Sequence, residues 1–188
     1  MAYYYLVASL PTLTLDGDLP WALDEFLGAC ENALGPEDLE GIRLLVAGRE
    51  AEAAHPIIGR WVSREAQLRN AVARHRAARL GVEAGPFQRE HSGFSVEIER
   101  GVAEAMAQPD PLGRERALDS LRWGMAEDLA AGDPFGFGAV ASHGLRLRLA
   151  ARWQSMREPE GRRVLFDLVD GRLEAMTSGL AWGAGGAG

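Results

Sequence analysis

Gly136-Phe-Gly138-Ala-Val-Ala141 has the spacing of a dinucleotide cradle, Gly-x-Gly-x-x-Gly/Ala. Such a cradle needs a strand feeding the glycines, so that a pyrophosphate meets the amides of a helix N-terminus. Here the glycines follow a helical run and Gly132-Asp-Pro134, with no βαβ pattern, so the spacing predicts no cofactor. The P-loop pattern is absent. His55, His75, His91 and His143 include no His-x-x-x-His pair and no His-Glu-x-x-His, so no zinc or other metal site is expected. Ser142 and His143 are adjacent, and helix neighbours do not face each other, which is poor geometry for a nucleophile and its base. There is no Gly-x-Ser-x-Gly elbow. Glu97 and Glu99 are two apart and Glu127 and Asp128 adjacent, so neither pair converges on one helix face for acid–base work. No catalytic residue is expected.

Arginine is the remaining candidate. All 20 basic residues are Arg, with no Lys, and two stretches are dense: Arg60–Arg79 holds six against one acid, Arg146–Arg163 six against two. Nucleic acid is the sharp reading of such stretches. Against it stand a net charge of −7 and the lack of interleaved aromatics for base stacking. The expectation is that these side chains lay their stems along apolar surface and pair with acids elsewhere, with a protein interface as the intermediate reading. One source of acids is the first 42 residues, which carry eight carboxylates and no Arg. That segment reads as a solvated acidic face, or as a docking surface for a basic partner.

The elements that must position these groups read as helices. A chain of 188 residues with 47% hydrophobic content holds a sizeable core, and the single Cys30 excludes a disulfide framework. The Tyr-rich opening is short, and no run approaches the 18 or so apolar residues of a membrane span, so a soluble cytoplasmic protein is expected. Residues 3–10 are β-prone but no second convincing strand follows, so a short extended or helical arm on the core is expected. Asp18 with Pro20 predicts a helix start, and Leu19, Leu23, Phe26, Leu27, Cys30 and Leu34 keep the helical period until Gly35. Cys30 on that stripe is a core residue. Pro36 opens a second helix that ends before Gly48. The third and longest is expected from Pro56 to Leu80, with Gly81 beyond it as the C′ residue. Its inner stripe is Ile57, Trp61, Leu68, Val72 and His75, the last as a satisfied boundary residue.

Residues 82–93, with two Gly and a Pro, form the linker. Helices at about 95–107, 111–131, 134–156 and 159–176 follow, the third of these beginning after Gly132-Asp-Pro134. The sum is an all-α bundle of about seven helices. Its organisation is an N-terminal module (1–81), the linker (82–93), a C-terminal module (94–178) and a Gly-rich tail (179–188).

Three stretches together carry a resemblance: Tyr3-Tyr-Tyr-Leu-Val-Ala-Ser-Leu-Pro11, Leu68-Arg-Asn-Ala-Val-Ala-Arg-His-Arg-Ala-Ala-Arg-Leu-Gly81, and Leu145-Arg-Leu-Arg-Leu-Ala-Ala-Arg-Trp153. With a Tyr-rich arm, a Leu-Arg-Asn helix ending in Gly and a Leu-rich helix ending in Arg-Trp, the chain resembles an uncharacterised bacterial family encoded in V-type ATPase operons. That family is distantly similar to the C/d socket component of V-type ATPases, an all-α body between the central shaft and the membrane ring. The resemblance implies a non-enzymatic, soluble component of that machine without cofactor. Its partners would be the central shaft and membrane ring, and it would lie at the membrane through them rather than by insertion. It also implies partner contacts at Tyr4, Arg69, Asn70 and Arg76, with packing inside the fold as the alternative for each. The C/d socket carries roughly three helical modules, and this chain is shorter. Two other readings stay open: an assembly or regulatory adaptor of the same complex, and a small helical enzyme with a pocket lined by His75, His91 or His143.

Overall fold

The computed structural model describes residues 3–157, and within them every regular element is helical. The order is α1 (Tyr4–Ser9), α2 (Leu23–Glu31), α3 (Pro36–Val46), α4 (Pro56–Leu80), α5 (Val96–Met106), α6 (Pro111–Glu127) and α7 (Phe137–Arg157). Single 3-10 turns lie at Glu50–Glu52, Gly85–Phe87 and Asp128–Ala130. The expected all-α bundle is therefore what the chain forms. The helix expected at 159–176 and the tail fall outside the described residues.

The arm is helical rather than extended. A lone strand would leave its backbone groups without partners, whereas α1 satisfies them locally, beginning with Val7 N–H to the Tyr3 carbonyl at 2.9 Å. Tyr3 and Leu6 bury themselves against the bundle, and the Tyr3 amide donates to the Phe135 carbonyl just ahead of α7.

The start of α2 also differs from the sequence reading. Asp18 caps nothing; the neighbouring Leu19 amide donates instead to Gln154 Oε1 of α7 at 3.2 Å, which holds this segment in a bend. The helix begins only where Glu25 can reach back to the Ala22 amide, at 2.7 Å. From there Phe26 and Cys30 are fully buried as the period requires. Burial, with the Glu31 charge beside it, pushes the Cys30 thiol up to about 12, so it stays a packed thiol.

Helices α3 to α6 start where their caps say, while the helix expected to reach 131 gives way after Glu127 to the 3-10 turn Asp128–Ala130, and the helix expected from 134 begins at Phe137. Pro36 and Pro56 open α3 and α4, Ser95 Oγ accepts from the Ile98 amide at 3.4 Å, and Asp110 Oδ1 from the Gly113 amide at 2.6 Å. Gly81 ends α4 at φ 68°, in the left-handed region that a side chain disfavours. Helical spacing sets Leu118, Leu121, Met125 and Leu129 on the inner face of α6; Leu118, Met125 and, in the following 3-10 turn, Leu129 are buried, while Leu121 is half-buried at the edge of the cluster.

The long helix α7 is central, packed against α1, α2, α3, α4 and α6, while α5 fills the space beside α4 and α6. One hydrophobic cluster runs through Phe26, Ile42, Ile58, Trp61, Leu68, Ile98, Leu118 and Leu145, so the expected modules on either side of 82–93 share a single core. The Gly136-x-Gly138 spacing has a packing cause. A Cβ at Gly138 would lie 2.1 Å from the Leu129 carbonyl oxygen, so the glycine lets the first turn of α7 press against the 3-10 turn after α6. Among the described residues no strand feeds it.

Candidate functional site

Arg69 and Arg76 stand seven residues apart on α4, two turns and about 10 Å along one face. Both guanidinium groups are exposed. Between and beneath them Val72, Ala73 and Ala77 form an apolar strip, faced by Leu118 of α6 and by Val82 and Phe87 of the 82–93 connection. Together these residues line an open groove of about 420 Å³, with Arg69, Arg76, Glu115 and Arg122 among its polar residues. Leu80 and Phe87, at its far end, are 76% and 65% exposed.

One wall continues into an ion-pair chain whose central acids, Glu65 and Asp119, are buried and whose ends are exposed. Arg69 Nε donates to Glu65 Oε1 at 2.8 Å, and Glu65, almost wholly buried, also receives Arg122 Nε at 3.1 Å. Arg122 Nη1 then donates to Asp119 Oδ1 at 2.8 Å, and Arg152 Nη1 to Asp119 Oδ2 at 2.7 Å. Arg152 closes the chain on Glu115 at 3.2 Å. Burial works against the Arg122 charge, but Glu65 and Asp119 outweigh it and raise its pKa above the ordinary arginine value. Nearby, Arg148 forks onto both oxygens of Glu50 at 3.0 and 3.1 Å, which outweighs burial and holds that carboxyl below its usual range. The expectation that the Arg-rich stretches pair internally is met for Arg64, Arg69, Arg74, Arg146, Arg148 and Arg152, whereas Arg60, Arg76 and Arg79 form no ion pair among the described residues. The partners, however, come from residues 50–128; of the acidic first 42, Asp16 pairs with Arg116 and Glu31 with Arg43, both outside the dense stretches, and Asp38 lies beside His55.

Asn70 is not on the groove. It is buried, and its amide exchanges two hydrogen bonds with the backbone of Arg89: Nδ2 to the carbonyl at 2.7 Å, and the Arg89 amide to Oδ1 at 2.9 Å. Gln67, one turn earlier, does the same to Ser95 at 2.9 and 3.0 Å and also donates to Glu99 at 3.1 Å. Two amides on α4 thus fasten a connection whose own backbone groups have few regular partners. Gln67 belongs to no motif in the sequence. Its one signal is that it is a second amide three residues from Asn70, on the helix preceding a long Gly/Pro-containing connection.

Tyr4 stands apart from the groove. On α1, its ring is 60% exposed and lies 4.9 Å, centroid to centroid, from Phe135. Beneath it Tyr3 donates its hydroxyl to Asp38, whose other oxygen is 3.3 Å from His55 Nε2. Burial, then Asp38, pushes the Tyr3 phenol up to about 12, so this Tyr–Asp–His set joins α1, α3 and the start of α4 with the phenol protonated.

The remaining histidines do not converge. His75, expected at the boundary, is exposed beside Ala103 and Met106, and His91 is half-buried in the connection. His143 is buried, its ring centroid 5.3 Å from that of Phe26. Among the described residues no group of three or more His, Cys, Asp or Glu is placed to hold a metal ion, and no helix is long and apolar enough to cross a membrane. The groove therefore offers apolar contact and positive charge. No family model, curated protein or solved structure matches the chain.

Proposed function

We propose that the protein is a non-enzymatic component of a bacterial V-type ATPase, similar to the C/d socket that couples the central shaft to the membrane ring. The observation that carries this reading is the joint presence of the Tyr3–Pro11, Leu68–Gly81 and Leu145–Trp153 stretches in one chain. These stretches fall on α1, α4 and α7, and each contributes buried residues to the bundle. A connector in a rotary machine must pass on torque without yielding. Close-packed helices suit that demand, with Trp61 and Trp153 buried as large anchors and acid–arginine pairs cross-linking α4, α6 and α7.

In this reading the protein works on the cytoplasmic side, held to the membrane by the shaft and ring components. It binds no nucleic acid and carries no cofactor. Membranes from cells lacking the chain test the coupling role. ATP hydrolysis by the head is expected to persist while ATP-driven ion transport falls severalfold; transport unchanged relative to hydrolysis would contradict it.

A further inference from the structure

We infer that the groove between α4 and α6 receives an acidic amphipathic helix from a partner protein. The inference rests on the reading of the chain as one part of a larger assembly, and it names the chemistry of one contact face.

Shape argues for a helix. The groove follows α4 for about three turns, from Leu68 to Leu80, and opens outward at Leu80 and Phe87. A small ligand would leave that end bare, whereas a helix laid along α4 covers it. The small side chains of Ala73 and Ala77 line the strip, which permits the approach of about 8–10 Å between axes that helix packing requires. Exposed apolar side chains grouped at the rim of a groove mark contact surfaces.

Charge names the occupant. The protein as a whole is acidic, at −7, yet α4 carries six Arg and one Glu. Arg69 spends only Nε on Glu65, and Arg76 makes no hydrogen bond or ion pair among the described residues. Two partly or wholly uncommitted guanidinium groups, two helical turns apart beside an apolar strip, match a helix with carboxylates at the same interval flanking its apolar face. Its recognition pattern is leucine-like residues at i, i+3/i+4 and i+7, with Glu or Asp seven residues apart.

The test uses the full chain and a fluorescent synthetic 18-residue helix, with Leu at i, i+3, i+4, i+7 and i+11 and Glu on the flanks. A control peptide carries Lys in place of each Glu. Anisotropy titration is expected to show the Glu peptide binding at least tenfold tighter than the Lys peptide. Arg76→Glu is expected to weaken the Glu peptide at least tenfold, and Leu80→Asp to weaken it as much. Both side chains are exposed, so unchanged urea midpoints verify that the variants fold. Equal affinity for the two peptides, or no effect of Arg76→Glu, overturns the inference. So does a dimer of the free chain that Arg76→Glu dissociates, which would assign the groove to a second copy. A tenfold gain in peptide affinity in full-length Leu168→Asp would assign it to residues 158–188 and overturn it too. These titrations read the groove alone, without the ATPase. Peptide discrimination in a chain that leaves ion transport untouched would retain the groove and remove the ATPase reading, and the opposite pair of results would do the reverse.

Discussion

The indole N–H of Trp153 on α7 donates to Asp119 Oδ2 on α6 at 2.9 Å. Asp119 is wholly buried and takes Arg122 and Arg152 on the same carboxylate, so one acid joins a packed aromatic anchor to two guanidinium groups. Removing this carboxylate takes an acceptor from the buried Trp153 indole and one of two acidic partners from each of Arg122 and Arg152, which keep Glu65 and Glu115. Breaking a buried charged network at one member costs more than the pair itself contributes. Asp119→Ala is expected to lower stability by about 3–5 kcal/mol, measured by urea denaturation. Asp119→Asn keeps the shape and one acceptor oxygen and is expected to fall between Asp119→Ala and the native chain. A loss under about 1 kcal/mol for Asp119→Ala would show that the network is dispensable.

Asn70 predicts a local effect. With its amide gone, the Arg89 backbone loses both bonds, and the 82–93 connection is released from α4. Asn70→Ala is expected to cost about 1–3 kcal/mol and to speed amide exchange across residues 85–92 more than in α7. Uniform change across the chain would argue against a fastener. Asn70→Asp can still accept from the Arg89 amide but not donate to its carbonyl, so it is expected to restore part of the protection.

His143 gives a pH dependence. Burial, with Arg146 nearby, lowers it from the ordinary 6.5 to about 4, and its Nε2 has no hydrogen-bond partner. The unfolded chain therefore takes up a proton at His143 that the folded chain refuses. Stability from this group is complete above pH 6.5 and is lost as pH falls toward 4, up to about 3 kcal/mol. Glu50 and Glu99, held low by Arg148 and Arg74 against burial, add losses only below the ordinary 4.5. Urea midpoints between pH 7 and 5 are expected to fall in the native chain and to stay flatter in His143→Phe. Equal slopes would refute the assignment.

Gly138→Ala places a methyl against the Leu129 carbonyl, a backbone atom that cannot swing away. It is expected to destabilise by about 1–3 kcal/mol by thermal unfolding. Gly124→Ala is the control, since nothing lies within 4 Å of its added Cβ, and it is expected to be neutral or slightly stabilising.

Much of the fold is legible in the sequence because its signals are local. Pro56 and Gly81 bracket α4, and Ser95 and Asp110 cap the helices that follow them. The start of α2 is not legible, because Gln154, 135 residues away, takes the Leu19 amide. The same distance hides the site. The Arg69–Arg76 interval is plain in the chain, but Leu118, Phe87 and the partners of Asp119 arrive from elsewhere. Asn70 reads as a contact residue by resemblance and proves to be committed to Arg89. His75 has the phase of the inner stripe, yet it is exposed at the edge of the α4–α5 contact, lining a shallow hollow with Ala103 and Met106 of α5.

The central claim is membership of the ATPase, and co-migration tests it most directly. When detergent-solubilised membranes are resolved by size exclusion and the ATP-hydrolysing head is followed by its own polypeptides, this chain is expected in the same fractions at a constant ratio. Recovery well below that ratio would favour a transient assembly factor of the same machine. Elution at the mass of the free chain, with none in the head fractions, would contradict the account.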